Sequence, residues 1–138
     1  MAANQSWRWR FMGFRCVEDG CRHVQNWFNG LPLEAKAEII DILQSLQIVT
    51  TRRWGRPEFD PLNGAGGISE IRPDDIRSER GVETYRIYGF FGPSQREYTL
   101  LYGTLKTVRN DRDGKRIARE RRDYVILHGS AAVHKFDF

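Results

Sequence analysis

Four segments between residues 67 and 125 decide the fold of this chain. They read GISEIR at residues 67–72, ETYRIYGFF at 83–91, REYTLLYGTLKTVRN at 96–110 and GKRIARERRDYV at 114–125. The first three alternate apolar and polar side chains with a period of two, which predicts strands. The fourth is strongly basic and predicts a helix. Because each strand also carries Arg or Lys, the stretch predicts a cationic sheet followed by a basic helix.

The segments on either side predict further elements. Residues 7–15 alternate aromatic and basic side chains, so they predict a strand with Trp7, Trp9 and Phe11 on its core side. Residues 1–6 are expected to form a disordered lead-in. The predicted helices span residues 21–28, 32–48 and 115–127; the predicted strands span 68–72, 82–91 and 96–107; loops or turns are predicted at 50–66, 74–81 and 110–114, and a last short extended segment after 127.

The clearest predicted helix is residues 32–48, because its apolar residues recur at helical spacing. We expect these residues to face the core: Leu33, Ala37, Ile40 and Leu43, widened by Ile39, Ile42 and Leu46. The last helix is expected to turn Ile117, Tyr124 and Val125 inward. Together the elements predict one α+β domain over residues 1–138, with a small antiparallel sheet packed against N-terminal helices and a basic helix at the C-terminal end.

The charge of the chain is modest in sum but uneven in distribution. The formal net charge is +4, and 18 of the 22 basic residues are Arg, whose planar fork pairs well with phosphate oxygens. Residues 106–122 hold eight basic residues against three acidic ones. Such a run is either a solvated helix face or an anion-binding face, and the neighbouring Arg-bearing strands favour the second.

Other features bear on compartment and cofactors. No run of 18 apolar residues predicts a membrane span, and the first residues lack the apolar core of a signal peptide. Cys16 and Cys21 are five residues apart with His23 nearby, which is not a usual zinc spacing, so we expect reduced thiols and no metal site. A cytoplasmic protein without a cofactor is therefore expected.

Arg86 is the first candidate site residue, because it shares a strand face with Tyr88 and Phe90 and needs a partner there. That partner is either a carboxylate such as Glu70 or a bound phosphate. The other cations end or follow the predicted strands: Arg72, Lys106 and Arg109. Each alone reads as a surface charge, but beside Arg86 they predict a phosphate site.

Cleavage of RNA without a metal ion requires cations near the phosphate and groups that transfer protons to and from the ribose 2′-oxygen and the leaving 5′-oxygen. The candidate proton-transfer groups are Glu70, Tyr102, Lys106, Tyr124, His128 and His134. A histidine near the end of a chain is more often an ordinary surface residue.

Further basic residues are candidates for contact with the RNA backbone. Arg52, Arg53 and Arg56 flank Trp54, which suits either RNA binding or a surface loop anchored by a core Trp. The basic helix adds Lys115, Arg116, Arg119 and Arg122.

The order GISEIR, YRIY, LLYGTLK and a helix containing Ile117-Ala118 resembles the RelE/HigB superfamily of type II toxins, in its phage-derived HigB-like branch. The likeness covers about residues 67–125, and the amphipathic helix before them also fits. It implies a small sheet on N-terminal helices and cleavage of mRNA, usually in the ribosomal A site, without a metal. It also implies a cognate antitoxin, here expected to be of the helix-turn-helix kind.

Carried over by position, the resemblance implies catalytic roles for Arg72, Arg86 and Lys106. The second lysine of the family pattern falls on Thr107, and its aromatic residue falls on Thr104, so this chain departs from the pattern twice. Arg109 is the candidate replacement for the missing lysine. The acid or base near the C-terminal end is expected at Tyr124 or His128.

Two other functions remain open from the sequence. The related ParE toxins share the sheet and inhibit DNA gyrase by protein contact, but they lack the catalytic cations that this chain retains. A binding module of the same fold that has lost activity is the third possibility.

Overall fold

The computed structural model describes residues 8–49, 54–62 and 64–138. The helices in this part of the chain are α1 (His23–Asn29), α2 (Leu33–Gln47) and α3 (Arg112–His128), and a 3₁₀ helix spans Gly129–Ala132. Its strands are β1 (Arg10–Phe14), β2 (Phe59–Asp60), β3 (Ser69–Ile71), β4 (Ile76–Ser78), β5 (Gly81–Glu83), β6 (Tyr85–Phe91), β7 (Glu97–Leu105) and β8 (Val133–Lys135).

Six strands form one sheet in the order β2-β3-β6-β7-β1-β8, and β4 pairs with β5 in a separate hairpin. The pair β1–β7 is parallel, whereas the other pairs of the sheet are antiparallel. The expectation of a purely antiparallel sheet was therefore wrong. Alternation reveals that a segment is a strand but not which neighbour it joins, and here the chain passes through both N-terminal helices before β7 returns beside β1.

Helices cover the sheet on both faces. On the face that we call the α1–α2 face, Phe28 of α1 and Leu43 of α2 belong to one apolar cluster with Ile71, Ile87 and Leu100 of the strands. On the opposite face, the α3 face, Ala118 and Val125 pack with Ile68, Phe90 and Leu101. Packing of the sheet on N-terminal helices is as predicted, and α3 adds a third layer.

Several predicted elements have different details in the structure. Leu33 is 80% exposed and Ala37 is also exposed, because the buried stripe of α2 begins instead at Ala35. Two short elements were missed: β2 lies inside the predicted loop 50–66, and the β4–β5 hairpin replaces the predicted polar turn. In addition, α3 begins three residues earlier than predicted, and Ile117 and Tyr124 are only half-buried.

The predicted strand 82–91 is divided at Thr84 into β5 and β6, which belong to different sheets. The other predicted helices and strands are present, with ends that differ by up to three residues. Segments β3, β6 and β7 lie side by side, and the tail contributes β8 at one edge. Residues 1–6 and Trp7 lie outside the described residues. None of the described helices is both long and apolar enough to span a membrane.

Candidate functional site

Two rows of polar residues cross the α3 face of the sheet. Because side chains alternate along a strand, Ile71 and Ile87 face α1 and α2 while their neighbours face the other way. The pairing of β2, β3, β6 and β7 then sets the order within each row. The first row contains Asp60, Glu70, Tyr88 and Tyr102, and the second contains Arg72, Arg86 and Thr104.

Five charged residues of these strands and the preceding turn form what we call the ionic chain: Arg56, Asp60, Arg72, Glu70 and Arg86. Asp60 Oδ2 accepts hydrogen bonds from Arg56 Nη2 at 3.0 Å and from Arg72 Nη2 at 2.7 Å. Arg72 Nε donates to Glu70 Oε1 at 2.6 Å, and the same oxygen lies 3.8 Å from Arg86 Nε. Three guanidinium groups against two carboxylates give the ionic chain a net charge of +1.

The carboxylates are the buried members of the ionic chain. Glu70 is 2% exposed and Asp60 is 8% exposed. The Leu62 backbone N–H, which donates to Asp60, lowers the pKa of that carboxyl, and the nearby Arg72 and Arg56 lower it further against the opposing effect of burial. Asp60 is therefore ionised at neutral pH and holds Arg72 by charge as well as by hydrogen bonding.

Arg86 has a fixed position but an incompletely paired guanidinium. Its Nη1 donates to the carbonyl of Tyr85 at 2.7 Å. Its Nε is buried and has no hydrogen-bond partner within the described residues. Glu70 is the carboxylate neighbour considered from the sequence, but 3.8 Å is too long for a hydrogen bond. A partly exposed guanidinium in this state is suited to bind an anion.

Lys106 lies next to this row. Its backbone N–H donates to the carbonyl of Thr84 at 2.7 Å, which extends the β6–β7 pairing to two residues beyond the pair of Arg86 and Thr104. Within the described residues, the side chains of Lys106 and Arg109 form no hydrogen bond or ion pair. Adjacent strands are about 4.8 Å apart, so the row from β3 to β7 spans about 10 Å. Arg72, Arg86 and Lys106 are thus brought together, with Arg109 in the exposed loop that follows.

The N-terminal end of α3 adjoins the first row. Asp111 Oδ1 caps the helix by accepting the Gly114 N–H at 3.0 Å, while its Oδ2 accepts the Tyr88 hydroxyl at 3.1 Å. Burial raises the pKa of Tyr88, and the charges of Asp111 and Glu70 raise it further, so this hydroxyl stays protonated. Tyr102, which is half-buried, stacks parallel to Tyr88 at a centroid distance of 6.4 Å.

Tyr124 and His128 lie elsewhere. The Tyr124 hydroxyl accepts the Val17 backbone N–H at 2.8 Å, and the Tyr124 and His128 rings are 4.2 Å apart. Thirteen residues separate Asp111 from Tyr124, which is about 20 Å along a helix. His134 is buried on β8, at the far edge of the sheet. The structure does not bring these three residues together with Arg72 and Arg86.

The predicted RNA-binding residues are partly engaged with other groups. Arg116 pairs with Glu120 at 2.6 Å and Arg122 pairs with Asp123 at 2.8 Å. The side chain of Arg119 lies against Gly66, and Lys115 donates to Asn110 at 3.3 Å. Arg56 belongs to the ionic chain. Arg52 and Arg53 lie outside the described residues.

Trp54, which follows Arg52 and Arg53 in the sequence, is 6% exposed and donates from Nε1 to the Leu46 carbonyl at 3.0 Å. Its anchoring role in the core therefore agrees with the structural alternative considered for this loop.

Two residues of the site, Asp60 and Asp111, were not predicted from the sequence. Asp60 lies in a strand of only two residues, too short for alternation to reveal. Asp111 was included only in the predicted loop 110–114. The sole signal for its role was an Asp shortly before a predicted helix, and in the structure it directly precedes Arg112, the first residue of α3.

The cysteines are both free and partly exposed. Cys21 Sγ lies 3.6 Å from His23 Nδ1, and Cys16 Sγ lies 4.0 Å from the Tyr124 hydroxyl. Among residues 8–49, 54–62 and 64–138, no group of three or more His, Cys, Asp or Glu side chains is arranged to hold a metal ion.

Comparison with known proteins adds one match. The family model described as "Phage derived protein Gp49-like (DUF891)" matches residues 26–123, which include both polar rows and most of α3 but not β1 or β8. None of the curated proteins matches the chain significantly. The Gp49-like family is associated with toxin–antitoxin toxins of the RelE/HigB type. The match covers more than two thirds of the 138 residues of the chain, so the chain belongs to the Gp49-like family of phage-derived proteins.

Proposed function

We propose that this protein is the toxin of a type II toxin–antitoxin system and cleaves mRNA on the ribosome without a metal ion. The observation that carries the proposal is the pair Arg72 and Arg86, held on adjacent strands by buried carboxylates and flanked by Lys106. The family's association with RelE/HigB-type toxins supports the same conclusion.

In the proposed reaction the ribose 2′-oxygen attacks the adjacent phosphorus in line, and the bond to the 5′-oxygen breaks. Arg72 and Arg86 would bind the non-bridging oxygens, and Arg109 would reach them from its loop. These cations stabilise the extra negative charge of the transition state. A base accepts the 2′-hydroxyl proton, and an acid donates a proton to the leaving oxygen.

For proton transfer we favour Lys106 and Tyr102 over Tyr124 and His128. Tyr102 lies in the row beside Arg86, and Lys106 lies two residues after Thr104, on the other side of Arg86. Tyr124 is about 20 Å along α3 from the helix cap that touches this row.

A cognate antitoxin is the expected partner, since the family is associated with toxin–antitoxin pairs. It would cover the cationic part of the α3 face and keep RNA from Arg72 and Arg86. A helix-turn-helix protein encoded by the neighbouring gene would agree with this proposal.

Translation in a cell-free extract, followed by primer extension on the mRNA, tests the proposal. The wild type should produce discrete breaks, and Arg86→Ala should reduce their rate by about 100-fold, as for removal of one transition-state hydrogen-bond donor. Arg80→Ala, which removes an exposed arginine from the β4–β5 hairpin, is the matched control and should cleave like the wild type.

If the wild type leaves mRNA intact where an established toxin cuts it, the proposed activity is wrong. A DNA supercoiling assay with gyrase then examines the ParE-like alternative, in which Arg86→Ala and the wild type should inhibit equally. Arg86→Lys preserves the positive charge but removes the planar guanidinium fork. Measuring the thermal unfolding of this variant distinguishes a loss of cleavage activity from a loss of folding.

A further inference from the structure

A second group of cationic and aromatic residues lies at the end of β6 that is remote from Arg86. Two adjoining cavities of about 530 and 540 Å³ are present there, and both are lined by the turn between β6 and β7. We call this feature the basic–aromatic cleft and define it by Arg8, Trp9, Arg10, Phe91 and Arg96.

The backbone fixes the cationic side of the cleft. The Arg10 N–H donates to the Arg96 carbonyl at 2.7 Å, where β1 begins to pair with β7. The Arg10 side chain is 64% exposed and lies 3.4 Å from Glu97, the one carboxylate among the cavity-lining residues. Three arginines against this single carboxylate leave a net charge of +2 around an open cavity.

The aromatic side of the cleft is equally fixed. Phe91 is 43% exposed, although it lies in a strand of the sheet. Its ring meets the half-buried Trp9 edge-on at a centroid distance of 5.1 Å, and Trp54 lies 5.5 Å behind Trp9. The rings are therefore held from the core side, while part of Phe91 stays open to solvent.

We propose that the basic–aromatic cleft binds single-stranded RNA. A cationic groove that follows the phosphates, together with a fixed aromatic ring on which bases stack, is the combination that single-stranded nucleic acids require. The charge excludes a cationic partner, and the exposed ring distinguishes the cleft from a plain cluster of surface arginines.

The cleft is distinct from the site around Arg86. Five residues separate Arg86 from Phe91, which is about 17 Å along a strand. The Phe91 ring packs with Trp54 and Tyr98 on the α1–α2 face, whereas Arg86 lies on the α3 face. Arg8, Trp9 and Arg10 also lie outside residues 26–123, so the family match does not include them.

A binding measurement that needs no cleavage tests this inference. The probe is a fluorescein-labelled, 2′-O-methylated 12-nucleotide RNA of mixed sequence, followed by fluorescence anisotropy over a range of salt concentrations. Arg8→Ala/Arg10→Ala should weaken binding about 10-fold and reduce the magnitude of the salt slope by about 1.4, at about 0.7 per lost phosphate contact. Phe91→Leu should weaken binding at least fivefold with the salt slope unchanged, since stacking contributes to affinity independently of charge.

The matched control is Arg77→Ala/Arg80→Ala, which removes two exposed arginines from the β4–β5 hairpin and should change affinity less than twofold. If the control pair weakens RNA binding as much as Arg8→Ala/Arg10→Ala, or if Phe91→Leu binds RNA with unchanged affinity, the inference is overturned. Either result would indicate nonspecific electrostatic attraction between the RNA and the protein surface. Binding of a poly-glutamate peptide at the cleft in preference to the RNA would also overturn it.

RNA binding at the basic–aromatic cleft and the proposed mRNA cleavage are tested by separate measurements. Wild-type protein that cuts mRNA but binds the probe equally well after Arg8→Ala/Arg10→Ala contradicts the cleft alone. Protein that binds through the cleft but never cuts mRNA contradicts the proposed activity alone. Thermal unfolding of each variant establishes that the comparison is made between folded proteins.

Discussion

Asp60 binds two arginines through a single carboxylate oxygen, and its other oxygen accepts a backbone N–H. Glu70 continues the pattern toward Arg86. Buried carboxylates of this kind are weak sources of net stability, because desolvation offsets much of their attraction for the cation. Their effect is to fix guanidinium groups in place, and in the proposed reaction this would reduce the reorganisation that catalysis requires.

Asp60→Asn tests this role at the scale of one residue. We expect the free energy of unfolding to fall by about 1–3 kcal/mol, because Arg72 loses a charged partner that is almost buried. We also expect mRNA cleavage to fall about 10-fold while the Michaelis constant stays within twofold. Urea unfolding and cleavage kinetics are the measurements.

In the unfolding measurement, Glu97→Gln is the matched control for Asp60→Asn, because Glu97 is a similarly covered carboxylate that is paired with an arginine. Asp60→Glu restores the charge and should recover part of the activity. Full cleavage by Asp60→Asn would show that Arg72 needs no alignment by this carboxylate.

His134 makes stability depend on pH. Burial lowers its pKa, as do the charges of Arg22 and Arg15, while its hydrogen bond with the Lys135 carbonyl opposes them. Its Nε2 is buried without a partner within the described residues, and it faces Gly13. The unfolded chain therefore binds this proton more readily than the folded protein, and stability is lost as pH falls below the unfolded value of about 6.5.

We expect the melting temperature of the wild type to decrease from pH 7.5 to pH 5.5. The melting temperature of His134→Phe should decrease less over the same interval. Scanning calorimetry at both pH values measures the difference. His23 also has a lowered pKa, from burial and Arg121, so part of the slope should remain, and His23→Phe serves as the comparison. Parallel curves for wild type and His134→Phe would contradict the assignment.

At the scale of elements, one residue connects the last helix to the site. Asp111 both caps α3 and accepts a hydrogen bond from the Tyr88 hydroxyl. A side chain at position 114 would collide with Asp111, so Gly114 is the residue that allows this close cap. The start of α3 and the first polar row are thereby coupled.

Asp111→Ala should lower the free energy of unfolding by about 1–2 kcal/mol through loss of the cap. Asp113→Ala removes an acidic residue from the same first turn without removing the cap, and should cost only about 0.3–1 kcal/mol through the helix dipole. Chemical denaturation compares the two variants. Equal losses would indicate that charge at the helix terminus, and not the hydrogen bonds of Asp111, is what matters.

The same scale explains which elements the sequence predicts. In residues 68–71, which include β3, Ile68 and Glu70 face one way and Ser69 and Ile71 the other, as their alternation indicates, because apolar clusters lie on both faces of the sheet. The two residues of β2 offer no period to detect. In α2, two apolar stripes with helical spacing compete, and only packing on the sheet selects the one that contains Ala35 over the one that contains Leu33.

At the scale of the whole molecule, charge is distributed unevenly over the surfaces. The α3 face carries the ionic chain and Lys106, and the basic–aromatic cleft adds cations at another end of the sheet. Glu38, Asp41, Glu58 and Asp74, in contrast, line a cavity of about 260 Å³ beside α2. Such a carboxylate-lined cavity repels phosphate, so RNA is expected on the cationic surfaces.

The pairing of elements distant in the chain is what the sequence left open. Arg72 and Arg86 were expected to approach each other if the three predicted strands lie side by side, and these strands do so in the sheet. Tyr124 was expected near them as a candidate proton-transfer group and by resemblance, whereas the length of α3 places it against Phe14 of β1. Local patterns report faces and periods, whereas distances across the molecule depend on how helices cross the sheet.

The C-terminal segment shows how far the fold extends beyond the residues that the family model matches. Phe136 is 2% exposed, donates its backbone N–H to the Phe11 carbonyl at 2.9 Å and packs on Phe28 of α1. Gln25 then exchanges two hydrogen bonds of 2.8 Å with the backbone of Asp137. The segment therefore joins β1 and α1 and contributes to the apolar cluster of the α1–α2 face.

Phe136→Ala should consequently lower the free energy of unfolding by about 3–5 kcal/mol, the usual cost of removing a buried Phe side chain. Phe138→Ala is the matched control, because Phe138 packs on the same cluster but is only partly buried, and it should cost less than half as much. Urea unfolding of both variants measures the difference. Comparable losses would mean that the segment acts as a loosely attached strand and not as part of the core, since only a buried ring leaves a cavity when it is removed.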